Sequence, residues 1–287
     1  MDAQSAMSKV LAQLIDDLHV EKIEMNLFRA HSAHKNHSQV FGGQVLAQAL
    51  NAASRTLVSA FSLHSAHAYF LRPGDPELPI VYEVDRIRDG KAFATRRVVA
   101  IQRGRAIFNM SMSYQLLEAG LEQQVAMPEV PGPEDLISDQ VLLNRSIEQA
   151  KDFQWPIEFR QVDPINPKAP EPKSNSHYVW FRASGEIADD PSQHQELLAY
   201  ASDYHILTTT LRAHGYYHWS PEIQLASLDH ALWFHRPFRI DEWMLYAQVG
   251  ISTQSSRGLA QGHIFTRSGA LVATVMQEGL IRHKADN

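Results

Sequence analysis

His67-Ala68-Tyr69-Phe70-Leu71-Arg72-Pro73 returns, loosely, as His230-Ala231-Leu232-Trp233-Phe234-His235-Arg236-Pro237. The sequence after each stretch also returns: a strand-like run, a Gly turn, a second strand, another Gly turn and a last strand ending at a glutamine. The landmarks pair Arg72 with Arg236, Gly90 with Gly258, Gly104 with Gly269 and Gln115 with Gln277. A unit that recurs at a near-constant spacing marks duplication and fusion. The two halves are therefore expected to share a fold and to meet along a pseudo-twofold.

Around these stretches the pattern predicts an amphipathic helix over 5–17, with Val10, Leu11, Leu14 and Ile15 at helical spacing, and a strand over 20–29. Gly42-Gly43 precede an Ala- and Leu-rich run over 44–57 that is apolar almost all round, the pattern of a buried helix. Strands are expected at 61–71, 79–88, 93–102 and 105–115. Tyr82 and Val84 alternate with Glu83 and Asp85, as in a half-exposed strand. The stretch from Pro128 to Pro172 holds more than half of the chain's 14 prolines and reads as a linker with one helix near 134–151. Beyond it, strands are expected at 157–163 and 176–184. A helix should run from Ser192 to Ala213 behind Asp189-Asp190-Pro191, and strands should follow at 222–235, 243–252, 257–266 and 270–281. The expected units are 1–120, a proline-rich linker over 121–175, and 176–287, the last with a first strand beginning near 155. This is an α+β order, a sheet with a helix packed on it, stated twice.

Composition narrows the chemistry. The 287 residues include no cysteine, which removes disulfides, thiolate metal sites and a cysteine nucleophile together. Hydrophobic content of 44% and charged content of 20% are those of a soluble globular chain. A net charge of -6 speaks against nucleic acid as a partner. No apolar run approaches the ~20 residues of a membrane span, and the first residues lack a signal peptide's basic region and apolar core. The final Lys284-Ala285-Asp286-Asn287 is not a Ser-Lys-Leu address, so the expectation is a cytoplasmic protein without a membrane partner. His31, His34 and His37, and His64 with His67, are tidily spaced. No His-Glu-x-x-His or comparable ligand set accompanies them, and neither a metal nor another cofactor is expected.

Several ordered stretches resemble the acyl-CoA thioesterase II family, whose members carry two hotdog folds in one chain. In the first half these are Val40-Phe41-Gly42-Gly43-Gln44, His67 to Asp75 and Arg86-Ile87-Arg88-Asp89-Gly90. In the second they are Tyr200-Ala201-Ser202-Asp203, Ser227-Leu228-Asp229-His230, Trp233 to Phe238 and Gln277-Glu278-Gly279. The similarity runs from about residue 8 to 283. It implies a tandem hotdog, each half a curved antiparallel sheet wrapped around a central helix. It also implies hydrolysis of fatty acyl-CoA to fatty acid and coenzyme A, and self-association to a dimer or tetramer. Carried over by motif, the catalytic set falls on Asp203, Ser227 and Gln277. Ser227 stands where many members have threonine; the hydroxyl is kept, without the β-branch that restricts its rotamer.

That set makes chemical sense. With no cysteine and no Gly-x-Ser-x-Gly elbow, water is the natural nucleophile. Asp203 would accept its proton or anchor it, Gln277 and Ser227 would position it, and backbone N–H groups at a helix N-terminus would polarise the carbonyl. The first half has Phe41-Gly42-Gly43-Gln44 where the second has Tyr200-Ala201-Ser202-Asp203. One working site per chain is expected, with Gly42 and Gly43 offering backbone N–H groups to a substrate oxygen. Arg86 and Arg88, in a run of seven positive charges against one over 86–105, are either a solvated strand face or a landing area for the coenzyme A phosphates. Asp229-His230 reads as structural, because adjacent strand residues point to opposite faces. Two other readings stay open: a hotdog hydratase or dehydratase using Asp203 with His205, and a non-catalytic acyl-CoA sensor.

Overall fold

The computed structural model describes residues 3–32, 38–58, 60–146, 155–218 and 220–284. The chain opens with helix α1 (Ala3–Leu18) and a short hairpin of β1 (Glu21–Glu24) and β2 (Leu27–Ala30), turning at Asn26 with φ 64°. The single strand expected over 20–29 is thus two. Helix α2 (Gly42–Ser54) is buried from Gly43 to Ala53, as an all-apolar helix must be. It is followed by β3 (Phe61–Phe70), β4 (Ile80–Asp89), β5 (Phe93–Gln102) and β6 (Arg105–Leu116). The proline-rich stretch contributes helix α3 (Asp139–Ser146) and strand β7 (Ile157–Gln161). Then come β8 (Ser176–Ala183), helix α4 (Pro191–Ser202), helix α5 (Ile206–Thr209), and β9 (Ile223–Ser227), β10 (Asp229–Phe234), β11 (Met244–Gln254), β12 (Arg257–Thr266) and β13 (Leu271–His283).

The described strands form one antiparallel sheet in the order β1-β2-β4-β5-β6-β3-β10-β13-β12-β11-β8-β7, with β9 also on β13. The second half of that order repeats the first about the β3–β10 contact. The stretch expected as one strand over 222–235 is broken at Leu228 into β9 and β10, which together do for β13 what β3 does for β6.

Matched details fix the equivalence of the halves. Each has a bulge at the same place, between Ala100 and Ile101 and between Ile264 and Phe265. Arg72 Nη1 donates to the Ala106 carbonyl at 2.6 Å, and Arg236 Nη1 to the Leu271 carbonyl at 3.0 Å. His67 lies opposite Ala231 in the β3–β10 register, where the pseudo-twofold passes. This corrects the pairing expected for the last glutamine: Met112, not Gln115, occupies the place of Gln277. The spacing from Gly104 and Gly269 leads to Met112 and Gln277; the shared residue type, not the count, singled out Gln115. The pairing of Gly90 with Gly258 is corrected as well: Ala94, opposite Asp89 and Tyr114, takes the place of Gly258, opposite Thr253 and Gly279. By the same equivalence Leu63 stands for Ser227 and Ala66 for His230. All three first-half residues are buried and apolar.

The helix expected from Ser192 to Ala213 is also broken. Helix α4 starts as the sequence predicts, with Pro191 in its first turn and Asp190 accepting from the Ser192 N–H at 2.9 Å. It stops at Ser202, because His205 adopts a left-handed backbone with φ 65° before α5 resumes. Gly43 makes close crossing of α2 and α4 feasible: a Cβ there would lie 2.4 Å from the Tyr200 carbonyl oxygen.

Candidate active site

Asp203 caps the C-terminus of α4, at the helix break. Ser227 ends β9, and Gln277 lies on β13, fully buried. Ser227 pairs with Gly279, two residues past Gln277 on the same strand face. The three residues predicted from sequence therefore converge from three elements. The Gln277 amide joins them: Nε2 donates to Asp203 Oδ1 at 3.1 Å and to Ser227 Oγ at 2.7 Å. The other carboxylate oxygen, Asp203 Oδ2, accepts the Gly43 N–H at 2.8 Å. That N–H, expected to be open to a substrate, is engaged by Asp203 in this structure. A Cβ at Gly42 would come 2.7 Å from the same oxygen, so the glycine pair lets the first turn of α2 approach the carboxylate.

Behind Gln277 stands His230, a residue sequence reasoning assigned to structure alone. Both Gln277 N–H groups are donated to oxygens, so its Oε1 needs a donor, and His230 Nδ1 lies 3.0 Å away. His230 Nε2 lies 2.9 Å from Ser202 Oγ, whose hydroxyl also reaches the Ala199 carbonyl at 2.9 Å. Only a buried polar residue on an otherwise alternating strand could have flagged it: His230 is 1% exposed between Asp229 and Ala231. Asp229 goes elsewhere, accepting the Glu278 N–H at 2.7 Å, so the adjacent pair does not act on one point.

The electrostatics are those of a buried acid facing a buried base. Burial pushes the Asp203 carboxyl above its ordinary value, opposed by His230, by the Gln277 N–H and by the Gly43 N–H. Burial pulls His230 below its ordinary value, opposed chiefly by Asp203. Two N–H donors aimed at the carboxylate fit its ionised form.

Other predicted residues are not drawn to this point. Arg86 donates to Asn26 Oδ1 at 2.7 Å on an exposed stretch of β4. Arg88 lies opposite Thr95, Thr95 opposite Ser113, and Ser113 opposite Ser65. Phe70, whose ring borders Gly42, is five residues farther along β3, about 16 Å at strand spacing. The basic run itself divides: Arg97 pairs with Asp85 in solvent, whereas Arg96 is buried against Asp89 and Thr56. His205 is turned away from Asp203, its Nε2 3.2 Å from Asp139 Oδ2. Of the tidily spaced histidines, His34 and His37 lie outside the described residues.

Residues 30–115 match the family model of the acyl-CoA thioesterase N-terminal domain, and residues 149–280 that of acyl-CoA thioesterase. Acyl-CoA thioesterase 2 of Haemophilus influenzae is 40% identical over 283 residues, covering 96% of this chain and 99% of that protein. The chain belongs to the acyl-CoA thioesterase family. It is a thioester hydrolase, and the resemblance seen in the sequence holds along nearly the whole chain. The crystal structure of an acyl-CoA thioesterase II, TesB2, from Mycobacterium marinum superposes with a TM-score of 0.79 at 40% identity, covering 96% of this chain and 99% of that one. A hotdog-fold protein of unknown function from Alicyclobacillus acidocaldarius, 16% identical, gives a TM-score of 0.76 over 95% of this thioesterase and 98% of that chain, a likeness of fold alone. The α+β tandem hotdog is the fold of this thioesterase.

Proposed function

We propose that this thioesterase hydrolyses fatty acyl-CoA with a water held between Asp203 and Ser227. The observation that carries the reading is the Gln277 amide, which donates to both oxygens at once. Its two hydrogens diverge by about 120°, which sets those oxygens roughly 5 Å apart, a gap that one bridging water spans. Such a water donates to Asp203 and accepts the Ser227 hydroxyl hydrogen, leaving a lone pair for attack. Its oxygen adds to the thioester carbonyl carbon as Asp203 takes a proton. The C–S bond then breaks, the thiolate departs and takes up that proton, and the acyl group leaves as a carboxylic acid. The first turn of α2, at Gly42 and Gly43, lies beside the carboxylate and offers the positive end of a helix dipole to the developing oxyanion.

One working site per chain is supported by Leu63, Ala66 and Met112, which fill the first half's counterpart of this cluster with apolar side chains. His205 contacts Asp139 rather than Asp203, which favours hydrolysis over hydration. Contact of the coenzyme A phosphates with Arg86 and Arg88 remains part of the proposal, as do the cytoplasm and a dimer or tetramer. The edge strands argue that association avoids edge pairing: β1 is four residues with Glu21, Lys22 and Glu24, and β7 is five with Glu158 and Arg160.

The test is release of coenzyme A from acyl-CoAs of graded length, read with a thiol reagent to which the cysteine-free chain gives no background. Asp203→Asn should lower kcat by about 100-fold or more with acyl-CoA binding retained, and Ser227→Ala by roughly tenfold. Full turnover in Asp203→Asn would end this reading. Water added to an enoyl-CoA without thiol release would establish a hydratase, and binding without either reaction a sensor.

A further inference from the structure

We infer that His205 is a positioning residue: its left-handed backbone, fixed by packing of its ring against Phe159, His177 and Asp139 of the inter-unit stretch, breaks the helix and so aims Asp203. This rests on the reading of Asp203 as the group that activates water.

Left-handed backbone at a residue bearing a Cβ is unfavourable and persists where the surroundings over-determine it. At His205, with φ 65°, the surroundings can be named. The ring lies edge-on to Phe159 at 5.2 Å and to His177 at 5.8 Å between centroids. Its Nε2 sits 3.2 Å from Asp139 Oδ2, and Asp139 is 6% exposed at the start of α3. Asp139 Oδ2 is held in turn by Gln161 Nε2 at 3.0 Å, and Gln161 Oε1 lies 3.0 Å from His177 Nε2. The His205 carbonyl accepts from the Thr209 N–H and hydroxyl, both at 3.0 Å, and so opens α5. One residue thus faces two ways: its ring is fixed to the linker and the second sheet, and its backbone starts a new helix two residues after Asp203. Asp203 itself keeps right-handed backbone, with φ -78° and ψ -14°; the turn at 205 sends the following chain into α5 instead of a further turn of α4, and that departure holds Asp203 at the end of α4 beside the Gln277 amide. Asp139 belongs to a stretch that the sequence presents only as a linker; in the fold it supports the helix break.

Packing and backbone roles give opposite orders among substitutions. Gly removes more of the ring's contacts than Ala does, yet Gly accepts a left-handed backbone freely and Ala does not. If His205 aims Asp203, kcat on a long-chain acyl-CoA should stand highest in the parent, a few-fold lower in His205→Gly and His205→Asn, and at least fivefold lower again in His205→Ala. KM should remain within about threefold throughout. Asp139→Ala should lower kcat by about threefold or more at similar KM. His205→Gly at or below His205→Ala would overturn the inference, as would parental kcat in Asp139→Ala. Melting temperatures identify misfolding: an Ala defect that tracks a lost folding transition, with no recovery in His205→Asn, also counts against it. Asp203→Asn is assayed alongside. If it is inactive and the order of Gly and Ala is inverted, only the inference fails; if it is fully active, the underlying reading fails first.

Discussion

Gln277 has two amide hydrogens, and both are committed to oxygen atoms of the proposed site. The amide is therefore a spacer between Asp203 and Ser227, and His230 fixes its orientation by supplying the hydrogen that Oε1 requires. Of these residues, three were legible from motif resemblance. His230 was not given a part, because a histidine next to an aspartate on a strand invites the question of whether the two cooperate, and alternation answers no. What alternation does not reveal is which buried side chain will meet the histidine from the next strand. The charge state of Asp203 yields a prediction at this scale. Its carboxyl is pushed up by burial, and hydrolysis by the proposed route needs it ionised, so activity should be absent at low pH and appear as pH rises through the elevated value. The acid limb of kcat/KM should have its midpoint above the ordinary aspartate value near 3.8. A pH-rate profile with a midpoint at or below that value would remove Asp203 from the role of base.

At the level of elements, the strands from 61 to 116 and from 244 to 283 fell close to expectation, because alternation and Gly turns mark both faces and ends. The helix expected from Ser192 to Ala213 did not: α4 packs beside α2, and only α5 lies on the second half's sheet, with Leu207 against Gly279 and Thr210 against Gly258. The apolar positions of that stretch continue in helical phase through residues 203–205, so no periodicity announces the break; only tertiary contacts to His205 do. The α2–α4 crossing carries a second buried carboxyl. Glu196, on α4, accepts from Asn51 Nδ2 at 3.0 Å, and burial pushes it up to about 8 from the ordinary 4.5. Between those values the folded chain holds a proton that the unfolded chain has lost, so this group's stabilising contribution, full below the lower value, declines as pH rises to the upper one. Buried histidines such as His177 and His230 are pulled down and act in the opposite sense near and below their ordinary 6.5, so the comparison belongs above neutrality. Melting temperature measured from about pH 7 to about pH 9 should fall more steeply in the parent than in Glu196→Gln. Parallel curves would mean that Glu196 is ionised at neutral pH.

On the scale of the whole molecule, β3 and β10 share five residue pairs from Asp229–Tyr69 to Trp233–Ser65, joining the halves through backbone hydrogen bonds. The tryptophans, Trp155, Trp180, Trp219, Trp233 and Trp243, all lie in the second half. Fluorescence therefore reports on that half, whereas far-ultraviolet circular dichroism reports on both. Unfolding in urea should give coincident transitions by the two probes, as expected of one cooperative unit. A fluorescence change separated from the dichroism change would show that the halves unfold independently. The pseudo-twofold was legible because Arg72 with Arg236 and Gly104 with Gly269 kept their spacing; the pairings of Gly90 with Gly258 and of Gln115 with Gln277 failed because like residue types were matched at positions that the strand register does not equate. The apolar trio Leu63, Ala66 and Met112 has a consequence for ancestry. Two identical subunits encoded by one gene cannot lose a polar group from one copy without losing it from both. Covalent fusion frees each copy to change alone, so one can become scaffold while its sibling keeps the polar groups.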